Sequence, residues 1–168
     1  TCGEYGYVIK TTNGGINWII LEPISSPLKL SYTFTNVIFI DQQTGYIAGH
    51  KLANDTSVFI KTTNGGVNWN VHLYTVSSWG RFTSMYFSNS LTGFIGAGSG
   101  SNILKTTNGG NSWFPYTVPT SNRIYSIHFP SASIGFACCF GGQILKTTNS
   151  GINWFLQTTG TGSSLQSI

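Results

Sequence analysis

Few side chains in this chain could do acid–base chemistry, and their spacing does not favour it. The four carboxylates are Glu4, Glu22, Asp41 and Asp55. Hydrolysis of a glycosidic bond needs two carboxyl groups about 5–10 Å apart, whereas Asp41 and Asp55 are expected on different hairpin loops. Asp41 also shares its place in the chain pattern with Asn89 and Ser131, which indicates a turn residue. We therefore predict no catalytic residue.

Metal and thiol chemistry are equally weakly indicated. The histidines, His50, His72 and His128, do not recur in register and lack the spacing of metal ligands. His128 is expected to be a packed or half-exposed strand residue. Three cysteines cannot all pair within one chain: we expect Cys138 and Cys139 to be small strand residues, and a disulfide from Cys2 to another subunit or blade is the less favoured alternative. No metal and no cofactor are predicted.

The composition favours an extracellular β-protein. Charged residues make up 7% of the 168 residues, against about 25% in an average soluble protein, so Ser, Thr, Asn and Gly must cover the surface. The net charge of +4 includes no Lys/Arg cluster of the kind that binds nucleic acid. No apolar run approaches the roughly 18 residues of a transmembrane helix. A cell-surface or secreted location is the expectation.

A nine-residue phrase occurs four times along the chain, and the structural elements that it forms must position any functional side chains. Its copies are KTTNGGINW at 10–18, KTTNGGVNW at 61–69, KTTNGGNSW at 105–113 and KTTNSGINW at 146–154. A period in the forties predicts one supersecondary unit per repeat, which buries its apolar face only by stacking on its neighbours.

Each repeat has the size of one propeller blade. In the last copy, strands are predicted at 124–129, 135–140, 143–148 and 153–158, and four short antiparallel strands per repeat are typical of a blade. The predicted fold is all-β, a β-propeller of four-stranded antiparallel blades with the repeated phrase turning between the third and fourth strands.

The whole chain is predicted to be one propeller segment with incomplete blades at both ends. The expected divisions are a partial blade at 1–24, blades at 31–75, 81–119 and 122–160, and the start of a further blade at 164–168. The segment is either cut from a longer array, the favoured alternative, or its split pieces combine in a four-blade ring or with the next subunit. The last case predicts self-association by strand addition.

The repeated phrase combines residues suited to a tight hairpin with a large apolar anchor. Asn can accept backbone N–H bonds, Gly tolerates positive φ, Thr can bond across the loop, and a buried Trp beneath each turn supplies apolar area. The residues expected in these roles are Thr11, Asn13, Gly15, Trp18, Thr62, Asn64, Gly66, Trp69, Thr106, Asn108, Gly110, Trp113, Thr147, Asn149, Gly151 and Trp154.

These turns resemble the Asp-box, or bacterial neuraminidase repeat, Ser/Thr-x-Asp-x-Gly-x-Thr-Trp, with Asn in place of Asp in all four copies. The pieces "GF-I-G" and "ILKTTNGG-W" are most similar to the photosystem II assembly factor propellers and their secreted bacterial relatives. The resemblance implies a propeller fold over the whole chain. It also implies sialidases as relatives, but their three arginines, Tyr–Glu pair and acid are not matched, because the chain has only Arg81 and Arg123.

Candidate binding residues are a row of lysines and one aromatic. Lys10, Lys61, Lys105 and Lys146 recur strictly, so they are either solvated strand residues, the favoured alternative, or an anion-binding collar. Trp79 is the one tryptophan outside the repeats and the best single contact candidate. Asn54 begins the sole N-glycosylation sequon, in an inserted loop.

The favoured function is a non-catalytic extracellular structural or binding module of a surface protein, adhesin or fibre, with a protein or glycan partner. The first alternative is an assembly-factor-like propeller that binds a membrane-protein partner in the thylakoid lumen or periplasm. The second is a fragment of a glycoside hydrolase or sialidase-like propeller whose acids come from other blades.

Overall fold

The computed structural model describes residues 1–24, 31–53, 56–74 and 80–168, and it forms two compact units, Thr1–Val76 and Ser77–Ile168. Within the described ranges, none of the helical segments has the length and apolar character needed to cross a membrane.

The first unit contains a two-stranded and a four-stranded antiparallel sheet. The small sheet pairs β1 (Val8–Lys10) with β2 (Ile19–Leu21). The larger sheet has β3 (Tyr32–Phe39), β4 (Gly45–Lys51), β5 (Ser57–Thr62) and β6 (Asn70–Tyr74), in that spatial order. Cys2 extends the small sheet by one antiparallel bridge to Val8.

The second unit contains two four-stranded sheets of the same design. One has β7 (Phe82–Phe87), β8 (Gly93–Ala97), β9 (Asn102–Thr106) and β10 (Phe114–Thr117), and the other has β11 (Ile124–His128), β12 (Gly135–Cys139), β13 (Ile144–Thr147) and β14 (Phe155–Gln157). The all-β fold with the repeated turn between third and fourth strands is confirmed. Residues 164–168 form no strand, so their assignment to a further blade stays a prediction.

The two middle strands of each four-stranded sheet carry the core, because both of their faces are covered. Ile47, Ile95 and Leu145 are fully buried. On β12 the adjacent thiols of Cys138 and Cys139 are both buried, as expected for strand residues, and burial raises the pKa of Cys139 to about 12. All three cysteines are free thiols.

The first strand of each four-stranded sheet has a β-bulge at the same place. The register shifts between Phe34 and Asn36 in β3, between Phe82 and Ser84 in β7, and between Ile124 and Ser126 in β11. In the second unit the bulged residue Thr83 turns its hydroxyl to donate to the carbonyls of Gly96 and Ile124. A bulge therefore re-aims a side chain so that it ties two sheets together.

A phenylalanine, a glycine and a tryptophan form one packed layer in each four-stranded sheet. A Cβ at Gly93 would lie only 2.6 Å from the Phe87 ring, so glycine is required for the ring to lie on the backbone. The same ring meets Trp113 edge-on, with centroids 5.9 Å apart and planes at 82°. Equivalent layers join Phe39, Gly45 and Trp69, and Phe129, Gly135 and Trp154.

Candidate functional site

Each repeated turn is organised by its threonine hydroxyl and asparagine carbonyl. Thr106 Oγ1 donates to Asn108 Oδ1 at 2.9 Å and accepts from the backbone N–H groups of Asn108 and Gly110. Asn108 Oδ1 also accepts from the backbone N–H of Ser112 at 3.0 Å. The same four bonds occur in the turns that begin at Thr11, Thr62 and Thr147.

A second set of bonds anchors three of the turns to the loop between the first and second strands of the same sheet. Gly65 N–H donates to Gln43 O at 2.7 Å, Gly109 N–H to Leu91 O at 2.8 Å and Ser150 N–H to Ser133 O at 2.9 Å. Each donor directly follows the asparagine of its turn.

Ser150 has a left-handed backbone conformation, and the residues at the same position of the other turns are glycines. Its φ is +58°, while Gly109 in the third turn has φ +66°. A left-handed backbone is unfavourable by about 1 kcal/mol or more for a residue with a Cβ. The bond from Ser150 N–H to Ser133 O and the one that Ser150 O accepts from Lys105 hold it in place.

The tryptophans of the four turns are not equally covered. Trp113 and Trp154 are buried, Trp69 is half-buried and donates its indole N–H to Gly66 O at 3.0 Å, but Trp18 is 51% exposed. The expectation that all four indoles are buried is therefore wrong for Trp18. The reason is that the described first repeat has no phenylalanine to pack on Trp18, unlike the three four-stranded sheets.

Two of the repeated lysines donate a hydrogen bond to the neighbouring repeated turn instead of being solvated. Lys105 Nζ donates to Ser150 O at 2.7 Å and Lys10 Nζ donates to Gly65 O at 2.6 Å. Lys105 is only 8% exposed, and burial lowers its pKa. A solvated Lys105 is thus a wrong expectation, because its ammonium lies inside the packing between two sheets.

All four lysines also lie over aromatic rings. The Nζ atoms of Lys61 and Lys146 are 5.7 Å and 5.8 Å from the rings of Tyr46 and Phe136, their partners on the adjacent strand. Lys10 is 5.6 Å from Phe39. Cation–π contact is therefore common to the four positions, and an anion-binding collar stays a prediction for those that are not buried.

An open groove of about 640 Å³ in the first unit collects several of these residues, including Lys10, Phe39, Asp41 and Asn64. In the second unit the equivalent space holds Phe94, which stacks on Phe129 with centroids 4.2 Å apart. Phe129 is accordingly 5% exposed, whereas its counterpart Phe39 is 36% exposed. The groove thus corresponds to a place that an aromatic ring fills elsewhere in the fold, and the missing ring explains the groove without a ligand.

Asp41 is a turn residue, as predicted. Its Oδ1 accepts backbone N–H bonds from Gln43 and Thr44, both at 2.7 Å, and these donors lower the pKa of the carboxyl. Asn89 accepts the equivalent pair of bonds from Leu91 and Thr92.

The histidines form no metal site within the described part of the chain. His128 is exposed and packs edge-on against Tyr86 at 5.4 Å. Among the described residues, no group of three His, Cys, Asp or Glu side chains could hold a metal ion. Trp79 and Asn54 lie outside the described residues, so their roles in binding and glycosylation stay predictions.

The charges are divided unequally between the two units, a feature that the repeated motifs do not reveal. All four carboxylates fall in 1–76 with four lysines, whereas 77–168 has Arg81, Lys105, Arg123 and Lys146 and no carboxylate. The second unit therefore carries the whole formal charge of +4. Counting charge by repeat would have revealed it from the sequence.

Two exposed arginines lie at one end of the second unit. Arg81 and Arg123 each precede the first strand of a sheet. Arg81 O accepts from Gly98 N–H at 2.7 Å, and Arg123 Nε is 3.7 Å from where a Cβ of Gly98 would lie. We call Arg81 and Arg123 the arginine pair.

A comparison with protein families matches residues 25–167 to the family described as photosynthesis system II assembly factor YCF48. The chain belongs to this family. The resemblance read from the repeated turns is thereby confirmed. No curated protein sequence matches the chain significantly.

Solved structures support the propeller fold of this YCF48-family chain. A structure described as YCF48 bound to D1 peptide is 22% identical to this chain with a TM-score of 0.64, and the aligned region covers 80% of this chain and 42% of that chain. YCF48 from Cyanidioschyzon merolae is 16% identical with a TM-score of 0.67, covering 96% and 56%. The Niastella koreensis GH74 enzyme is 18% identical with a TM-score of 0.72, covering 92% and 27%.

These identities show similarity of fold alone. The YCF48-family chain spans between 27% and 56% of the length of the three proteins.

Proposed function

We propose that this chain is a non-catalytic, assembly-factor-like propeller segment that binds an acidic stretch of a protein partner. Membership of the YCF48 family supports an assembly role, and a similar structure is described as YCF48 bound to D1 peptide. This function was the first alternative from the sequence, and the family match favours it over an adhesin or fibre module.

The observation that carries the proposal is the charge of the second unit. With no carboxylate of its own between residues 77 and 168, this unit offers an anionic segment attraction without competing repulsion. The arginine pair is exposed at one end of the unit. A guanidinium binds a carboxylate through two parallel N–H bonds, which gives orientation as well as attraction.

The magnitude follows from the exposure of the pair. Exposed ion pairs contribute about 0.2–1 kcal/mol each, so loss of both arginines should weaken binding about 2- to 30-fold. Because exposed charges are screened within about 8 Å at physiological ionic strength, binding should also weaken as salt is raised.

The test is fluorescence anisotropy with labelled D1 peptide and an acidic Glu/Ala peptide. The variant Arg81→Gln/Arg123→Gln should bind both more weakly, while Lys51→Gln, which removes one charge from the first unit, should bind like the wild type. Arg→Lys substitution at both positions separates charge from bidentate geometry. Equal affinity of the wild type and the double Gln variant would refute the role of the arginine pair.

The location that accompanies this function is the thylakoid lumen or periplasm, not the cell surface. Absence of catalysis belongs to the proposal and is supported by the engagement of Asp41 in its turn. Turnover of chromogenic glycosides by the protein would refute it. Self-association, in which the incomplete blades of two copies of the chain complete each other, stays a prediction. Deletion of residues 165–168 tests it, because the assemblies should become smaller if these residues join the copies.

A further inference from the structure

An exposed phenylalanine lies beside one member of the arginine pair in the second unit. We propose that Phe140 is a specificity-determining residue, which selects partner segments that carry an aromatic side chain within about three positions of a carboxylate bound by Arg123. This inference rests on the proposed function and deepens it, because it names the neighbour that the acidic residue of the partner must have.

The backbone holds these two residues next to each other. Phe140 N–H donates to Arg123 O at 2.9 Å, which continues the antiparallel pairing of Ile124 with Cys139. The Cα atoms of residues opposite each other in such a pair are about 4.5–5.5 Å apart. The phenyl ring and the guanidinium therefore extend from neighbouring points of the surface, and both can contact the same short stretch of a peptide.

Side-chain hydrogen bonds fix the loop that carries Phe140 to the segment that carries Arg123. Gln143 Oε1 accepts from Thr120 Oγ1 at 2.5 Å and from Asn122 Nδ2 at 3.1 Å. Asn122 Nδ2 also donates to Phe140 O at 3.2 Å. Because these bonds restrict both backbones before a partner arrives, less conformational entropy is lost on binding.

Phe140 is 54% exposed, although the segment that would cover its position is described. The equivalent residue of the preceding sheet is Gly98, whose N–H donates to Arg81 O as that of Phe140 donates to Arg123 O. The nearest atoms to a Cβ on Gly98 belong to its own sheet and to Arg123, in the connection to the next sheet. The connection that follows Phe140 has Ser164 in this place, and Ser164 Oγ accepts a backbone N–H bond from the Phe140 loop at 3.4 Å. Serine is shorter than arginine, so it leaves the ring exposed.

The chemistry of the two side chains favours an acidic residue with an aromatic neighbour. Residues 77–168 contain no Asp or Glu, so no carboxylate of this unit competes for Arg123. A guanidinium binds a carboxylate through parallel N–H bonds and also stacks on aromatic faces. Aromatic rings attract one another beyond their buried area, as Phe94 and Phe129 do in this unit with centroids 4.2 Å apart. An aromatic ring of the partner can therefore contact both Phe140 and Arg123, whereas an aliphatic side chain gains from apolar area alone.

The spacing required of the partner follows from the proximity of the two side chains. An extended peptide advances about 3.3 Å per residue, so an aromatic residue about one to three positions from the bound carboxylate comes beside Phe140. Truncation of an aromatic residue at the centre of an interface commonly weakens binding by about five-fold or more. We therefore expect one correctly spaced aromatic residue to strengthen binding of an acidic peptide by about ten-fold.

Fluorescence anisotropy with three labelled peptides tests the proposal. The first is the Glu/Ala peptide, and the other two have Phe or Leu in place of a central Ala that has a Glu within about three positions. The wild type should bind the Phe peptide about ten-fold more tightly than the Glu/Ala peptide, and the Leu peptide less tightly than the Phe peptide. Phe140→Ala should abolish the preference for Phe and leave binding of the Glu/Ala peptide unchanged.

Phe155→Ala is the matched control, because Phe155 is 60% exposed but lies on β14, outside the Phe140 loop, and its loss should change none of the affinities. Three results would overturn the role of Phe140 and leave the arginine proposal standing: equal affinity of the wild type for the Phe peptide and either of the others, equal effects of F140A and F155A, or equal weakening of all three peptides by F140A. Failure of the wild type to bind any of the peptides would instead refute the proposed function, and this inference with it.

Discussion

Replacement of Lys105 by methionine tests whether the repeated lysine joins two blades. The ammonium is buried with its Nζ 2.7 Å from Ser150 O, and methionine preserves most of the apolar stem without the charge. The substitution leaves Ser150 O without this donor, at a residue whose left-handed backbone (φ +58°) the bond helps to hold.

A hydrogen bond to a charged group contributes about 1.5–3 kcal/mol. Desolvation of the ammonium, which lowers the pKa of Lys105, offsets part of that gain. We expect K105M to lower the free energy of unfolding by about 1–2 kcal/mol, a decrease of roughly 0.5–1 M in the urea midpoint for a slope near 2 kcal/mol/M. Urea titration followed by tryptophan fluorescence measures this change.

Lys146→Met is the matched control. Lys146 occupies the same position of the next repeat and lies over Phe136, but in the described part of the chain it donates to no turn carbonyl. Its loss should change the free energy of unfolding by about 0.5 kcal/mol or less. If K105M unfolds at the same urea concentration as K146M, or at a higher one, the bond to Ser150 O does not stabilise the fold.

Two further predictions concern the turns. Thr106→Val removes the hydroxyl that makes three hydrogen bonds inside the third turn, and a urea titration should show the free energy of unfolding lowered by about 2–3 kcal/mol. The control, Thr107→Val at the exposed neighbouring residue, should change it by about 0.5 kcal/mol or less. Equal effects of the two substitutions would contradict a stabilising role for these hydrogen bonds. The backbone donors of Gln43 and Thr44 lower the pKa of Asp41 below its ordinary 3.8, so its carboxylate adds stability that is complete above pH 3.8 and disappears as pH falls through the lowered pKa. Thermal melts in acid should show that Asp41→Asn loses less stability than the wild type over this window, and an identical pH profile would contradict that role.

Much of the fold could be predicted because the turn is local. Thr106, Asn108, Gly110 and Ser112 bond to one another within seven residues, so a repeated phrase is enough to place four hairpins. The roughly forty-residue period then favours four strands per repeat in sequence order, because a short connection places two antiparallel strands side by side.

The sequence could not predict the roles of the lysines and tryptophans, because these depend on contacts between repeats. Lys105 and its acceptor Ser150 O are 45 residues apart. Because every residue has a backbone carbonyl, the residue type does not show which carbonyl a lysine contacts. Trp18 and Trp113 occupy the same position of the same phrase, yet one is half-exposed and the other is buried. Among the described residues, a phenylalanine ring packs against Trp113 and none packs against Trp18.

The residues alone determined the turns, the strand order and the uneven charge, since each depends on residue type and on bonds that close within a few positions. Only the tertiary structure decided which lysines are buried and which tryptophans are covered. Those properties arise where surfaces from distant parts of the chain meet, and packing there excludes water from some copies of the repeat while leaving another in solvent.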